Sequence, residues 1–404
     1  MDDIVVLGVG MHPFGQFPDK DIRDLSRFAI WEAIDDAGID PRAINIAYVA
    51  NCYEGFLTGQ DDARAPIVIR NAGLGGMPMI QVSSGSAAGS IAFHEAALAV
   101  SSGIYDIAIA VGVEKLYIPG DPARSIAAIA TSGEKNVGTD MGLTWIAELA
   151  MGACDLMNRW GWTAEHFAKV AAKNRYNGSL NPKAEIQEAI SWEKILNSRV
   201  VAYPFTRPMC ASAAVDGAAA AILCTAKTAR KFTTRSLPHV AAMPFKGGSY
   251  TRPQDVDKEP GMLSMNVAPR VFADAFAQAG VGGKDIEIAQ VHDAISAEEL
   301  LGYQVLKLCA PGDEAALLES GATSLTGRVP VNTDGGLLSR GHPIGATGLA
   351  QIYESVIQME GRAGARQTRP DGTNPPKVAA IQNAGAFGGP SGGVAVSVGI
   401  ILKR

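Results

Sequence analysis

Apolar residues recur along this chain with two different periods. Leu25, Phe28, Ala29, Trp31, Ala33 and Ile34 fall at the three-and-four spacing of an amphipathic helix, and so do Val271, Phe272, Ala275 and Phe276. Residues 107–111, 217–224 and 378–381 are instead continuously apolar, which predicts strands covered on both faces. The two helical patterns lead into segments that align without a gap at a constant offset of 242: Ala37-Gly38-Ile39 against Ala279-Gly280-Val281, and Ile46-Ala47-Tyr48-Val49 against Ile288-Ala289-Gln290-Val291. Each passes a glycine-marked helix end and enters a short strand. Both halves then run through a small-residue turn and a helix (86–102 and 341–359) into a buried strand. A duplicated α/β architecture with a largely covered sheet follows.

Residues 117–208 break the pattern. Helices are expected at 144–160 and 163–176, followed by the turn-rich Asn177-Gly178-Ser179-Leu180-Asn181-Pro182. So long an excursion predicts a helical subdomain over one face rather than a loop. The expected division is 1–116 with 209–235 as the first half, 117–208 as the excursion, and 236–404 as the second half.

Composition narrows the function. A chain of 404 residues with 47% hydrophobic and 19% charged residues can bury a large core. The net charge of −6, without a Lys/Arg run, argues against nucleic-acid binding. The start Met1-Asp2-Asp3-Ile4-Val5-Val6 lacks the basic segment of a signal peptide, and no apolar run reaches the ~18 residues of a membrane span. Cys52, Cys154, Cys210, Cys224 and Cys309 form no CxxC pair, which predicts free thiols in a reducing cytoplasm. Six dispersed histidines without HExxH spacing give no support for a metal. Gly8-Val9-Gly10-Met11-His12-Pro13 lacks the third glycine of a dinucleotide fingerprint, which excludes a Rossmann dehydrogenase.

The densest chemical signal is Asn332 to Gly348, where His342 stands between glycine-rich turns ahead of a helical pattern. Glycines let backbone approach a ligand, and a helix start supplies unpaired N–H groups and a positive dipole end. A histidine there can stabilise an oxyanion or move a proton. His292 precedes Asp293 at a strand end, where ligands of α/β proteins collect.

Four landmarks in this order give the chain its resemblance to the thiolase superfamily, nearest the sterol-carrier-type thiolases and acetyl-CoA acetyltransferases. They are Gly103 to Lys115, Val215-Asp216-Gly217-Ala218-Ala219-Ala220, Val291-His292-Asp293-Ala294-Ile295, and the Gly341-His342-Pro343 stretch. The resemblance covers essentially the whole chain. It implies two βαβαβ-type halves in a five-layered αβαβα core and an active site between them. It also implies CoA thioesters as substrates with no covalently bound cofactor, and a homodimer or dimer of dimers. Some members of the branch work with a small zinc-ribbon and OB-fold companion. His292 and His342 match the pair that polarises a thioester carbonyl, and the Gly388-Gly389 turn matches a second oxyanion donor beside the N–H of residue 86.

At the nucleophile the chain departs from the family. Aligning Gly89 and Glu95 puts Ser86 where the family has a cysteine, and no thiol stands at Ala294 or in Gln382 to Gly389. A cysteine thiol, with a reference pKa of ~8.5, is readily ionised at a helix start, whereas a hydroxyl needs an adjacent base. Three readings of the serine stay open: an engineered replacement, a natural hydroxyl with His342 as base, or a chain that has given up acyl transfer. Glu298, Glu299 and Asn383 are candidates for the missing proton relay. Lys173 and Arg175 are candidates for CoA phosphates, and Phe387, Tyr250 and Thr251 for the shape of the acyl pocket. The expected activity is thiolase-type acyl transfer. The alternatives are an aldolase or lyase on the same fold and a non-catalytic acyl-CoA-binding subunit.

Overall fold

A computed structural model describes residues 4–133, 140, 142–248, 267–368, 374–388 and 393–404, with backbone alone for 386–388 and 393–394. The first half supplies β1 (Ile4–Met11), β2 (Ile46–Ala50), β3 (Met79–Val82) and β4 (Ile107–Glu114). The excursion holds a hairpin of β5 (Val200–Ala202) and β6 (Phe205–Thr206), and β7 (Gly217–Thr225) returns to the sheet. The second half supplies β8 (His239–Ala242), β9 (Phe245–Gly247), β10 (Ile288–Gln290), β11 (Val378–Gly388) and β12 (Gly393–Lys403).

The duplication is visible in the strand pairing. In the first half β1 pairs antiparallel with β7 and β7 antiparallel with β4, while β4 and β2 are parallel, as are β2 and β3. In the second half β8–β12 and β12–β11 are antiparallel, β11–β10 is parallel, and Val331 bridges Ala289 in parallel where the fifth strand would lie. The two halves meet where Val5 of β1 faces His239 of β8, joining ten strands into one sheet.

Period-two alternation sorts the strand residues into layers. Ile4 and Val6 face inward with Ala110 and Leu223, and from the second half Ile381 and Ile400 join the same cluster. Between the sheet halves lie the helices Ala88–Ser101 and Thr347–Met359, which put Phe93, Leu349 and Ile352 there. Val5 and Leu7 face outward onto the helix Ile22–Ala37. The outer face of the second half packs Phe272 and Tyr303 with Leu149, Phe167 and Val170 of the excursion. The order is therefore helix, sheet, helix, sheet, helix.

The excursion carries helices Trp145–Trp160 and Ala164–Ser179, the second capped by the Thr163 side chain, which accepts from the His166 N–H. The landmark pair Lys115 and Asp216 is structural. The buried Asp216 carboxylate takes the Lys115 ammonium at 2.6 Å and the N–H groups of Tyr117 and Phe17 at 2.8 and 3.0 Å. Among the described residues no helix is long and apolar enough to cross a membrane.

Candidate active site

Ser86 stands in the turn before the central helix Ala88–Ser101, half-buried, with Gly85 in the left-handed region at φ 52°. His342 arrives from the other half in the turn ahead of the equivalent helix. Its Nε2 lies 3.0 Å from Ser86 Oγ, and its Nδ1 lies 2.6 Å from Thr347 Oγ1. Thr347 in turn donates to the Pro343 carbonyl at 3.2 Å. This fixes one proton arrangement: Thr347 gives its own hydrogen to Pro343 and accepts from Nδ1, leaving Nε2 as the acceptor for the serine hydroxyl. Gly341, at φ 106°, makes the turn sharp enough to present the ring.

His292 follows β10, and its ring meets that of His342 edge-on, with centroids 5.4 Å apart. The amide of Asn383 donates to His292 Nδ1 at 3.3 Å, so Nε2 carries the hydrogen and is a donor. The backbone N–H of His292 is held by Gln382 Oε1 at 2.9 Å. Both rings are mostly enclosed, with 6% and 8% of their surface exposed. Burial, aided by the positive charge of Arg340, pushes His292 down to about 3. Burial first, then His292 and Arg340, pushes His342 well below its usual value. Both imidazoles are therefore neutral at pH 7, one poised to accept a proton and the other to donate a hydrogen bond.

Beneath His292 lies a closed polar network. Asp293 takes the N–H of Leu337 at 2.7 Å and the Asn174 amide at 2.8 Å. Only a glycine fits at 336, because a Cβ there would lie 2.3 Å from the Asp293 carboxylate. Asn174 also reaches Glu299, which takes Lys173 at 3.0 Å, Asn332 at 2.9 Å and the Tyr303 hydroxyl at 2.5 Å. Burial and the neighbouring Glu299 raise Asp293 well above the usual carboxylate range.

These contacts correct several expectations. Lys173 is not placed for a CoA phosphate: its ammonium is shared among Glu299, Asn174 Oδ1 at 2.7 Å and the Val331 carbonyl at 2.8 Å. Glu299 belongs to the same network and has no oxygen to spare for a proton relay. Glu298 caps its own helix through the Ile295 N–H at 3.2 Å, and burial raises it to about 7. Gly388 lies in β11 opposite Gly393 rather than in a free turn. β11 instead meets the serine turn at Gly385, where a Cβ would lie 2.4 Å from the Ala87 nitrogen. Gly388 is three residues on, or ~10 Å along a strand. Asn383 stands against His292 and orients it. Arg175 is half-buried, and burial lowers it while Glu185 opposes that shift. The side chain of Phe387, together with Gly389, Tyr250 and Thr251, lies outside the described residues.

Sequence reasoning missed Thr347, although its place five residues after His342 at a helix start was a usable signal. It also missed Glu114, which ends β4 in the interior. That carboxylate takes the N–H groups of Tyr53 and Gly345 at 2.9 Å each and the Asn51 amide at 3.0 Å, tying the two halves together beside the site. Among the described residues no cluster of three His, Cys, Asp or Glu side chains could hold a metal ion.

A duplicated five-layered fold thus brings a hydroxyl and two imidazoles together at the meeting of its halves, a set of groups suited to chemistry at a carbonyl. Residues 4–197 match the thiolase N-terminal domain and residues 248–392 the thiolase C-terminal domain-like model. The acetyl-CoA acetyltransferase of Methanothermobacter thermautotrophicus is 35% identical, over 91% of this chain and 93% of its own. The benzoylsuccinyl-CoA thiolase subunit BbsB of Thauera aromatica is 34% identical, over 91% of each. Among solved structures, the Ltp2-ChsH2(DUF35) aldolase superposes with a TM-score of 0.80 at 23% identity, covering 100% of this chain and 98% of that one. The acetyl-CoA acetyltransferase of Syntrophomonas wolfei superposes at 0.71 and 18% identity, covering 100% and 99%. The chain belongs to the thiolase family.

Proposed function

We infer that this protein is a thiolase-type acyltransferase acting on CoA thioesters, cleaving a 3-oxoacyl-CoA with CoA or running the reverse Claisen condensation, with Ser86 as the acyl acceptor. The observation that carries this reading is the 3.0 Å contact from Ser86 Oγ to the neutral His342, with His292 alongside. The hydroxyl gives its proton to His342 Nε2 as Oγ bonds to the 3-oxo carbon. The bond between C2 and C3 then breaks, and the departing enolate, held by His292, takes at C2 the proton that His342 received. The sulfur of CoA then takes the acyl group from the serine ester, and the thiol proton passes through His342 to Oγ. A general base in contact with its nucleophile contributes on the order of 10²–10⁴ in rate. An ester is a weaker acyl donor than a thioester, so release from Ser86 is the slow step and the acyl-enzyme accumulates.

Intact-mass measurement after mixing the protein with acetoacetyl-CoA tests this. A single acetyl adduct on Ser86, absent from Ser86→Ala, is expected; turnover without any adduct would refute the covalent step. The second reading, retro-aldol cleavage without covalent capture, draws on the absence of thiols at residues 86 and 294. It predicts that Ser86→Ala leaves turnover intact.

Of the two cations considered for CoA phosphates, Arg175 is retained as the proposed contact. A homodimer is also proposed. Its support is β3, the last strand of the sheet among the described residues, with Ile80 41% exposed. A zinc-ribbon and OB-fold companion is proposed from the family resemblance, and the cytoplasm is the proposed compartment.

A further inference from the structure

The excursion sends one carboxylate to the seam between the two histidine-bearing segments, and the reaction above leaves it unused. After the helix Ala164–Ser179 the chain runs alongside the Gly341 turn, with the Glu185 N–H on the Arg340 carbonyl at 2.9 Å and the Ile186 N–H on the Ser339 carbonyl at 3.0 Å. The Glu185 side chain fills the space that the missing Cβ of Gly341 leaves: a Cβ there would lie 3.3 Å from Glu185 Oε2. Ser212 faces the same carboxylate. Ser212 follows Ala211, whose N–H binds the Ala294 carbonyl at 2.9 Å, two residues beyond His292. One carboxylate thus packs against the turn carrying His342 and faces Ser212, the neighbour of a residue bound to the His292 segment.

Two buried atoms here have no hydrogen-bond partner, Glu185 Oε2 and Arg175 Nε. An unpaired buried oxygen is costly and is easier to tolerate if it carries a proton. Burial raises Glu185 to about 7, against the pull of Ser212, Arg207 and Arg175, with Asp216 adding to the rise. These are the charged and titratable groups that face it.

We propose that Glu185 is a positioning residue for the two histidines, its proton setting the placement of the Gly341 turn and hence the contact between Ser86 and His342. This rests on the acyl-transfer reading only for its consequence in catalysis. The geometric coupling can be read without turnover. In ¹⁵N-histidine-labelled protein, the ring signals of His342 and His292, assigned by single substitution, are followed from pH 5 to 9. Burial holds both imidazoles below their usual range, so an inflection near 7 reports a neighbour. A shift of the His342 signals with a midpoint near 7 is expected in the wild type. It is expected to be lost in Glu185→Gln, which keeps size and shape, and to move in Ser212→Ala, which removes a hydroxyl facing the carboxylate. Histidine signals that titrate identically in all three proteins would overturn the proposal. So would a wild-type His342 signal that does not move. If the coupling is present and no 3-oxoacyl-CoA is cleaved, the acyl-transfer reading fails and the positioning role stands.

Discussion

At the scale of single residues, the site works through hydrogen bonds that decide which nitrogen holds a proton. Thr347 fixes the ring of His342 and Asn383 fixes that of His292. Thr347→Val removes the first of these and leaves the ring free to swap tautomers. The expected result is a kcat about tenfold lower with KM little changed, since one such bond is worth roughly 0.5–1.5 kcal/mol; steady-state kinetics on acetoacetyl-CoA checks it. Glu298 makes a prediction about stability. Its folded-state value, raised to about 7 by burial, means the native protein keeps a proton that the unfolded chain has already lost. That contribution favours folding at low pH and is lost as pH rises through 7. Glu298→Gln cannot ionise and escapes the loss, so relative to wild type it should gain up to about 3 kcal/mol between pH 4 and 8 in urea unfolding.

At the scale of elements, the two central helices approach so closely that a Cβ on Gly348 would lie 2.5 Å from the Ser90 nitrogen. Gly348→Ala must therefore push the helices apart. A loss of about 1–3 kcal/mol is expected, measured by chemical denaturation, with a larger fall in activity because the same shift separates Ser86 from His342. The elements were largely legible in the chain. The offset of 242 read from Ala37 to Val49 is the offset of the strands themselves, since β2 starts at Ile46 and β10 at Ile288. Periodicity located the helices because each has one face in a core. The buried polar contacts were harder to see. Lys173 on a helix reads as a solvated cation, and only the fold reveals two carboxylates beneath it. Gly385 was hidden for a related reason: a close backbone approach leaves no trace in residue type beyond glycine itself. His342 stood out because it lies between glycine-rich turns at the head of a helix, whereas Ser86 emerged only through the family resemblance, from the alignment of Gly89 and Glu95.

At the scale of the whole molecule, the proposed homodimer would cover the edge of β3. Ile80→Lys places a charge on that edge and should shift the protein to monomer in sedimentation velocity; an unchanged mass would show that the edge is not the contact. The two halves within one chain are joined very differently. Their sheet edges share one backbone pairing, Val5 with His239, while the greater part of their mutual surface is the apolar layer of Phe93, Leu349 and Ile352. The connection running from β7 to β8 adds the Arg235 ion pairs to Asp36 and Glu360, while none of its residues joins that apolar layer. Severed there, the protein becomes two fragments, each with a greasy face that only the other can cover. Mixed after denaturation, they should find one another and recover a working centre, as two separately encoded polypeptides would.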